Sequence, residues 1–291
     1  MAELMKKQSI SSDPDAHSIP GWVDSHCHFD FAEFDHDRDA VWQHSHALGV
    51  RHLLIPGIDR QQSEQLVSFC SNGPTGPDGS SAWLFAQGLH PYFLARHQPQ
   101  DLDWLERQLS NADSDALSGP VAVGEFGLDF RKHTSADERQ QQLFYFDAQL
   151  QLAKRFKKPV VLHGVGAHDQ IAAAIRRSGF GHGGVIHAFS GSEQQARRYL
   201  DLGFRLGLGG LLLSPRAHRL HRTVRRLPLE SWLLETDAPD MTPAAVLPQR
   251  NSPQFLPLVA VALARLKDVG LEELKYQQWQ SFKRLFILNG C

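Results

Sequence analysis

Cysteine is scarce in this chain. Cys27, Cys70 and Cys291 are the only three in 291 residues, and no two of them form a Cys-x-x-Cys pair. So small and odd a set argues against a disulfide framework and against a cysteine zinc site, and it fits a reducing, cytoplasmic setting. Long apolar runs are missing as well. None approaches the roughly 20 residues of a membrane span, so no membrane partner is expected. Net charge is almost absent: 30 Lys and Arg stand against 32 Asp and Glu, which gives −2 at pH 7. The molecule as a whole therefore has little electrostatic pull toward nucleic acid, and any phosphate binding must be local. Residues 1–20 lack an apolar segment of the signal-peptide kind. With Lys6, Lys7 and scattered Ser, Asp and Pro, they read as a loose polar extension.

What is present is a regular alternation. Apolar, strand-like segments fall at about 22–29, 51–57, 83–90, 121–129, 159–163, 184–189, 204–210 and 232–237. Helical patterns stand between them, near 38–48, 60–70, 101–110, 136–157, 168–178, 193–202 and 215–226, with two more over 253–267 and 271–286. Only 71–81, rich in Gly, Pro and Ser, has the chemistry of a long exposed loop. Eight strands alternating with helices predict an α/β protein, a (β/α)8 TIM barrel over 21–291, as a single domain with its site at the C-terminal ends of the strands. An open doubly wound sheet is the rival. It has no Gly-x-Gly-x-x-Gly after the first strand, and it would not bring strands 1 and 8 together.

The first strand segment carries His26 and His28 two residues apart. On an extended chain, residues i and i+2 face the same side, so both imidazoles aim into one space. Neutral imidazole is the usual nitrogen ligand of zinc-like ions. Further polar residues recur near the ends of later strands: His90, Glu125, His163, His187 and Asp237. Each alone has a plain reading as a hydrogen-bonded core histidine or a paired acid. Converging on one barrel rim, without cysteine, they form a coherent ligand set for two divalent cations, such as zinc, magnesium or manganese.

Six pieces carry a family resemblance: Asp24-Ser-His-Cys-His-Phe29, Gly88-Leu-His-Pro91, Gly124-Glu-Phe-Gly-Leu-Asp129, Pro159-Val-Val-Leu-His163, His187-Ala-Phe-Ser-Gly191 and Glu235-Thr-Asp-Ala-Pro239. In this order the chain resembles the TatD family of metal-dependent hydrolases and deoxyribonucleases, within the amidohydrolase-like barrels. The resemblance implies that His26 and His28 hold one metal with Asp237, that Glu125 bridges both metals, and that His163 and His187 hold the second. His90 would lie in the site without being a primary ligand, as a substrate contact. Two positions depart from the family: Val165 stands where Arg is usual, and Ala188 where Cys is common.

The implied chemistry is hydrolysis of phosphodiester bonds, with DNA ends or short strands as substrate, a metal-activated water, and Asp237 as proton acceptor. Hydrolysis of a small-molecule C–N, ester or phosphomonoester bond on the same kind of barrel is the alternative, and a binding protein without turnover is a third reading. A basic stretch, Pro215–Arg226, follows strand 7, a region where such barrels often place phosphate sites. Arg216, helped by Arg219, is the expected substrate contact in place of the charge missing at Val165. The expected partner is a phosphoester such as DNA, and the expected state is a monomer.

Overall fold

The apolar segments form eight strands, and every adjacent pair is parallel. They are β1 (Trp22–Asp24), β2 (Val50–Pro56), β3 (Trp83–Gln87), β4 (Ala122–Asp129), β5 (Val160–Val165), β6 (Gly184–Ile186), β7 (Phe204–Leu208) and β8 (Trp232–Leu234), hydrogen-bonded in chain order. The computed structural model describes residues 21–75, 81–112 and 119–287; the extension expected over 1–20, part of the 71–81 loop and Cys291 lie outside them. Helices return the chain between strands: α1 (Arg38–Ala47), α2 (Arg60–Ser71), α3 (Gln100–Ala112), α4 (Ala136–Arg155), α5 (His168–Ser178), α6 (Glu193–Asp201) and α7 (His218–Arg226), followed by α8 (Leu256–Lys267) and α9 (Leu271–Phe282). This is the (β/α)8 barrel. No helix among the described residues is long and apolar enough to cross a membrane.

The strands read as near-continuous apolar runs because both of their faces are covered. On β2, Leu53 and Ile55 join the larger core under the helices, while Leu54 between them joins a second cluster with Val23, Val161, Val185 and Leu233. That period of two separates the outside of the barrel from its interior. Trp279, Phe282 and Phe286 belong to the interior cluster, so α9 and the π-helical turn after it plug one end. α9 also supports the β8 edge: Gln278 accepts the Leu234 N–H at 2.8 Å and donates to the Trp232 carbonyl at 2.9 Å.

The seam between β8 and β1 closes just beyond the strands. Ser25 N–H donates to Leu234 O at 2.9 Å, Asp237 N–H to His26 O at 2.9 Å and His28 N–H to Ala238 O at 2.8 Å. The polar end of the barrel is therefore stitched by the segments that carry His26, His28 and Asp237.

Close strand contact constrains the same end. Gly127 on β4 sits in register with His163 on β5, and a Cβ there would lie 2.0 Å from the His163 carbonyl oxygen. Gly127→Ala must push the strands apart between Glu125 and His163. The expected cost is about 1–3 kcal/mol or more in stability, with reduced metal content. Urea unfolding and metal analysis check it; a variant with parental values for both would show that the strands yield freely here.

Candidate metal centre

β1 ends earlier than the apolar pattern suggests. Its last residue, Asp24, is fully buried, and its carboxylate accepts the His26 N–H at 3.3 Å. This local bond turns the chain out of the ladder, so His26 and His28 lie beyond the strand rather than in it. They still face one space, with ring centroids 5.1 Å apart. Asp237 likewise stands past the end of β8, in the left-handed region at φ 59°. Glu125 and His163 lie within β4 and β5, His187 directly follows β6, and His90 follows β3.

These seven side chains converge. Glu125 Oε2 is 3.1 Å from His26 Nε2 and 3.9 Å from His28 Nε2, while its Oε1 is 3.2 Å from both His90 Nε2 and His163 Nδ1. Asp237 Oδ1 lies 3.7 and 3.8 Å from His26 and His28, and its Oδ2 lies 3.4 Å from His187 Nε2. Donor atoms within 4.8 Å of one another fall into three sets: His26, His28 and Asp237; His26, Glu125 and His187; His90, Glu125 and His163. The grouping thus places His187 on the His26 side, beside Asp237, whereas the family resemblance pairs it with His163.

His26 tests whether the residues suit a metal. It is fully buried, and neither ring nitrogen has a hydrogen-bond partner among the described residues. Its Nε2 is nevertheless 3.1 Å from a carboxylate oxygen. A nitrogen and an oxygen so close, yet not aligned for a hydrogen bond, have the spacing that two ligands of one ion would share. The donors are nitrogen and oxygen only; the Cys27 thiol is buried against the Ala238 carbonyl at 3.8 Å. That set fits zinc, magnesium or manganese.

Charge follows the same layout. Burial, and after it the neighbouring His26, pushes His28 down to about 3, which leaves a neutral imidazole. Burial opposes ionisation of Asp237, but His187, His26 and His28 outweigh it and hold the acid down at about 2. Glu125 is held well below the usual carboxylate range: burial resists, and His90, His26 and His187 prevail. His187 goes the other way. Burial disfavours its charge, yet Glu235, Asp237 and Glu125 raise it well above the ordinary histidine value.

His90 differs from the others. Its Nδ1 accepts the Tyr92 N–H at 3.1 Å, so in the neutral ring the proton sits on Nε2, which points at Glu125. Burial lowers its pKa and favours that neutral form. A protonated Nε2 donates to the carboxylate and offers no lone pair to a cation.

Three carboxylates behind the site are not among the residues that sequence reasoning singles out. Asp129 Oδ2 holds His163 Nε2 at 3.1 Å, and Glu235 Oε1 lies 3.2 Å from His187 Nδ1 while accepting the Ala188 N–H at 2.7 Å. Asp24 binds Thr236 through its N–H at 2.9 Å and its hydroxyl at 2.6 Å. A hydrogen bond such as that between Asp129 and the far nitrogen of His163 fixes the tautomer and direction of an imidazole. All three lie inside the quoted motifs; a carboxylate within six residues of a candidate ligand was the available signal. α4 adds two glutamines seven residues apart. Gln142 pairs with both backbone groups of Asp129 and Gln149 with both of Leu89, which sets the segments bearing Asp129 and His90.

Arg216 is exposed in the turn before α7, its N–H bonded to the Ser214 hydroxyl at 3.3 Å. Arg219 instead reaches the β6 loop, donating to Ser190 O at 2.7 Å, and borders a cavity of about 380 Å³ whose wall includes Val165. Arg219, and not Arg216, shares the lining of this cavity with Val165.

A barrel presenting these donors at its open end belongs to the class of metal-dependent hydrolases. The chain is a member of the TatD family: the family model described as "TatD related DNase" matches residues 23–287. It is 36% identical over 253 residues to the Escherichia coli protein named "Uncharacterized metal-dependent hydrolase YjjV", covering 87% of this chain and 93% of that one. The crystal structure of the E. coli YjjV protein superposes with a TM-score of 0.83 at 34% identity, over 92% of this chain and 99% of that one. The Erwinia billingiae protein named "3'-5' ssDNA/RNA exonuclease TatD" is 31% identical over 262 residues, 88% of this chain and 95% of its own length.

Proposed function

We propose that residues 21–291 form a single hydrolase domain that cleaves phosphodiester bonds at the ends of DNA strands, using two divalent cations. The division of Glu125 carries this reading: one carboxylate oxygen faces His26 and His28, the other faces His163. That is the layout a bridging ligand needs. His26, His28 and Asp237 would hold one cation and His163 the other, with His187 completing the set. Bound cations at such a site lower the pKa of water and neutralise charge developing on phosphoryl oxygens.

The side chains supply the rest. Asp237, held in its ionised form chiefly by His187 against the cost of burial, takes the proton of the attacking water. His90 donates through Nε2 to Glu125 and faces the substrate beside it. Arg216, with Arg219, meets the flanking phosphate backbone. A glutamate in the bridging position, rather than a modified lysine, favours phosphoester over amide chemistry. The relative named as an ssDNA/RNA exonuclease agrees in substrate class.

Comparison of DNA oligomers, phosphomonoesters, and amide or lactone substrates, each with and without chelator, tests the proposal. Chelator-sensitive hydrolysis confined to amides or lactones would overturn it. Arg216→Ala should raise KM for DNA severalfold and reduce the log–log salt slope by about 0.7–0.9, the value of one phosphate contact. Metal content should not change. Parental KM and slope would make the basic run an ordinary solvated surface.

A further inference from the structure

Beside His90 and His163 stand two solvent-facing side chains, Tyr92 and Arg131, that take no part in the proposed hydrolysis. Tyr92 is 63% exposed, although it follows directly on the buried His90–Pro91 pair. The Arg131 guanidinium carbon lies 5.4 Å from the centre of its ring. Each is tied to the centre by a short route. Tyr92 donates its N–H to His90 Nδ1, and His90 Nε2 meets Glu125. Arg131 Nη2 lies 3.0 Å from Asp129 Oδ2, the same oxygen that holds His163 Nε2 at 3.1 Å. The two residues come from different loops, after β3 and after β4, and meet over the His90–Glu125–His163 set.

Tyr92 meets Phe93 edge-on, with ring centres 5.5 Å apart, and that contact leaves most of the ring uncovered. An aromatic ring this exposed leaves most of its surface in water. Arg131 is half-exposed, with its carboxylate contact made through one nitrogen, so other N–H donors stay available. Asp129 pairs in register with Val165, so Arg131 rises beside a strand end that offers no charge of its own. A flat π surface still largely open to solvent, with a guanidinium over it at the mouth of a polar site, matches a base and its neighbouring phosphate.

We propose that Tyr92 and Arg131 form a clamp for the terminal nucleotide, in which Tyr92 stacks the unpaired base and Arg131 binds the adjacent phosphate. The clamp rests on the phosphodiesterase reading above and adds its specificity. Stacking tolerates any base but requires a free face, so frayed or single-stranded ends are taken ahead of blunt duplex ends, with little base preference.

The test uses the metal-loaded protein and two sets of single-stranded DNA oligomers, one ending in a normal nucleotide and one in an abasic nucleotide. The parent should favour the base-bearing end by about five- to a hundredfold in kcat/KM, mostly through KM. Tyr92→Ala should bring that ratio close to one, and Tyr92→Phe should restore it. Arg131→Gln should reduce the salt slope on both sets, and Arg131→Lys should restore it. A parent that cleaves both ends equally, or a Tyr92→Ala variant that keeps the parental ratio, overturns the clamp while the phosphodiesterase reading stands. A parent with no chelator-sensitive cleavage of either set overturns both.

Discussion

Glu125→Gln should bind less metal on both sides of the centre and lose about 10²–10³-fold in kcat, the scale set by several kcal/mol of transition-state stabilisation. The carboxylate spreads two oxygens over four histidines: Oε2 toward His26 and His28, Oε1 toward His90 and His163. An amide keeps one of those oxygens. Its NH2 group replaces the other, carries no charge and cannot donate a lone pair to a cation. His28→Ala gives the contrast, since His28 is a donor in one candidate set only. It should lose one metal equivalent and keep the other. Metal stoichiometry by mass spectrometry, read beside circular dichroism, separates the two. A folded Glu125→Gln protein with full metal would remove Glu125 from the bridging position.

The alternation of apolar and amphipathic segments made the barrel legible, because each strand is covered on both faces and each helix on one. Strand ends were less so. β1 stops at Asp24 because its own side chain bonds the His26 N–H, a competition between side chain and ladder that apolar patterning does not register. The candidate ligands were legible through residue type and position, since histidines and acids at strand ends converge once the sheet closes. Their supports were not. Asp129 and Glu235 lie close in sequence to candidate ligands, but nothing in the sequence pairs them with His163 and His187 until β5 and β6 bring those histidines against them. Cations were the least legible. The basic run Pro215–Arg226 drew attention to Arg216 by charge density, whereas the shorter Arg131-Lys132-His133 run did not, and Arg131 meets Asp129 only because β4 ends there beside β5.

Asp24→Ala should be the most damaging change outside the ligands, at about 3–5 kcal/mol, because each buried donor left without an acceptor costs about 1–3 kcal/mol. Asp24 accepts from the Thr236 N–H, the Thr236 hydroxyl and the His26 N–H, and the first two cross the seam from β1 to the chain leaving β8. Loss of the side chain therefore opens the barrel where it closes, and it frees the segments that hold His26 and Asp237. Metal affinity should fall together with stability. Asp24→Asn should be far milder. Burial, the largest influence on this carboxyl group, raises its pKa to about 7, so the pocket has little preference for the charged form. The asparagine oxygen can keep both N–H bonds, and the Thr236 hydroxyl can turn to accept from the amide. Denaturant unfolding of both variants, with metal titration, decides the point. If Asn proves as destabilising as Ala, negative charge rather than hydrogen bonding is what Asp24 contributes to the seam.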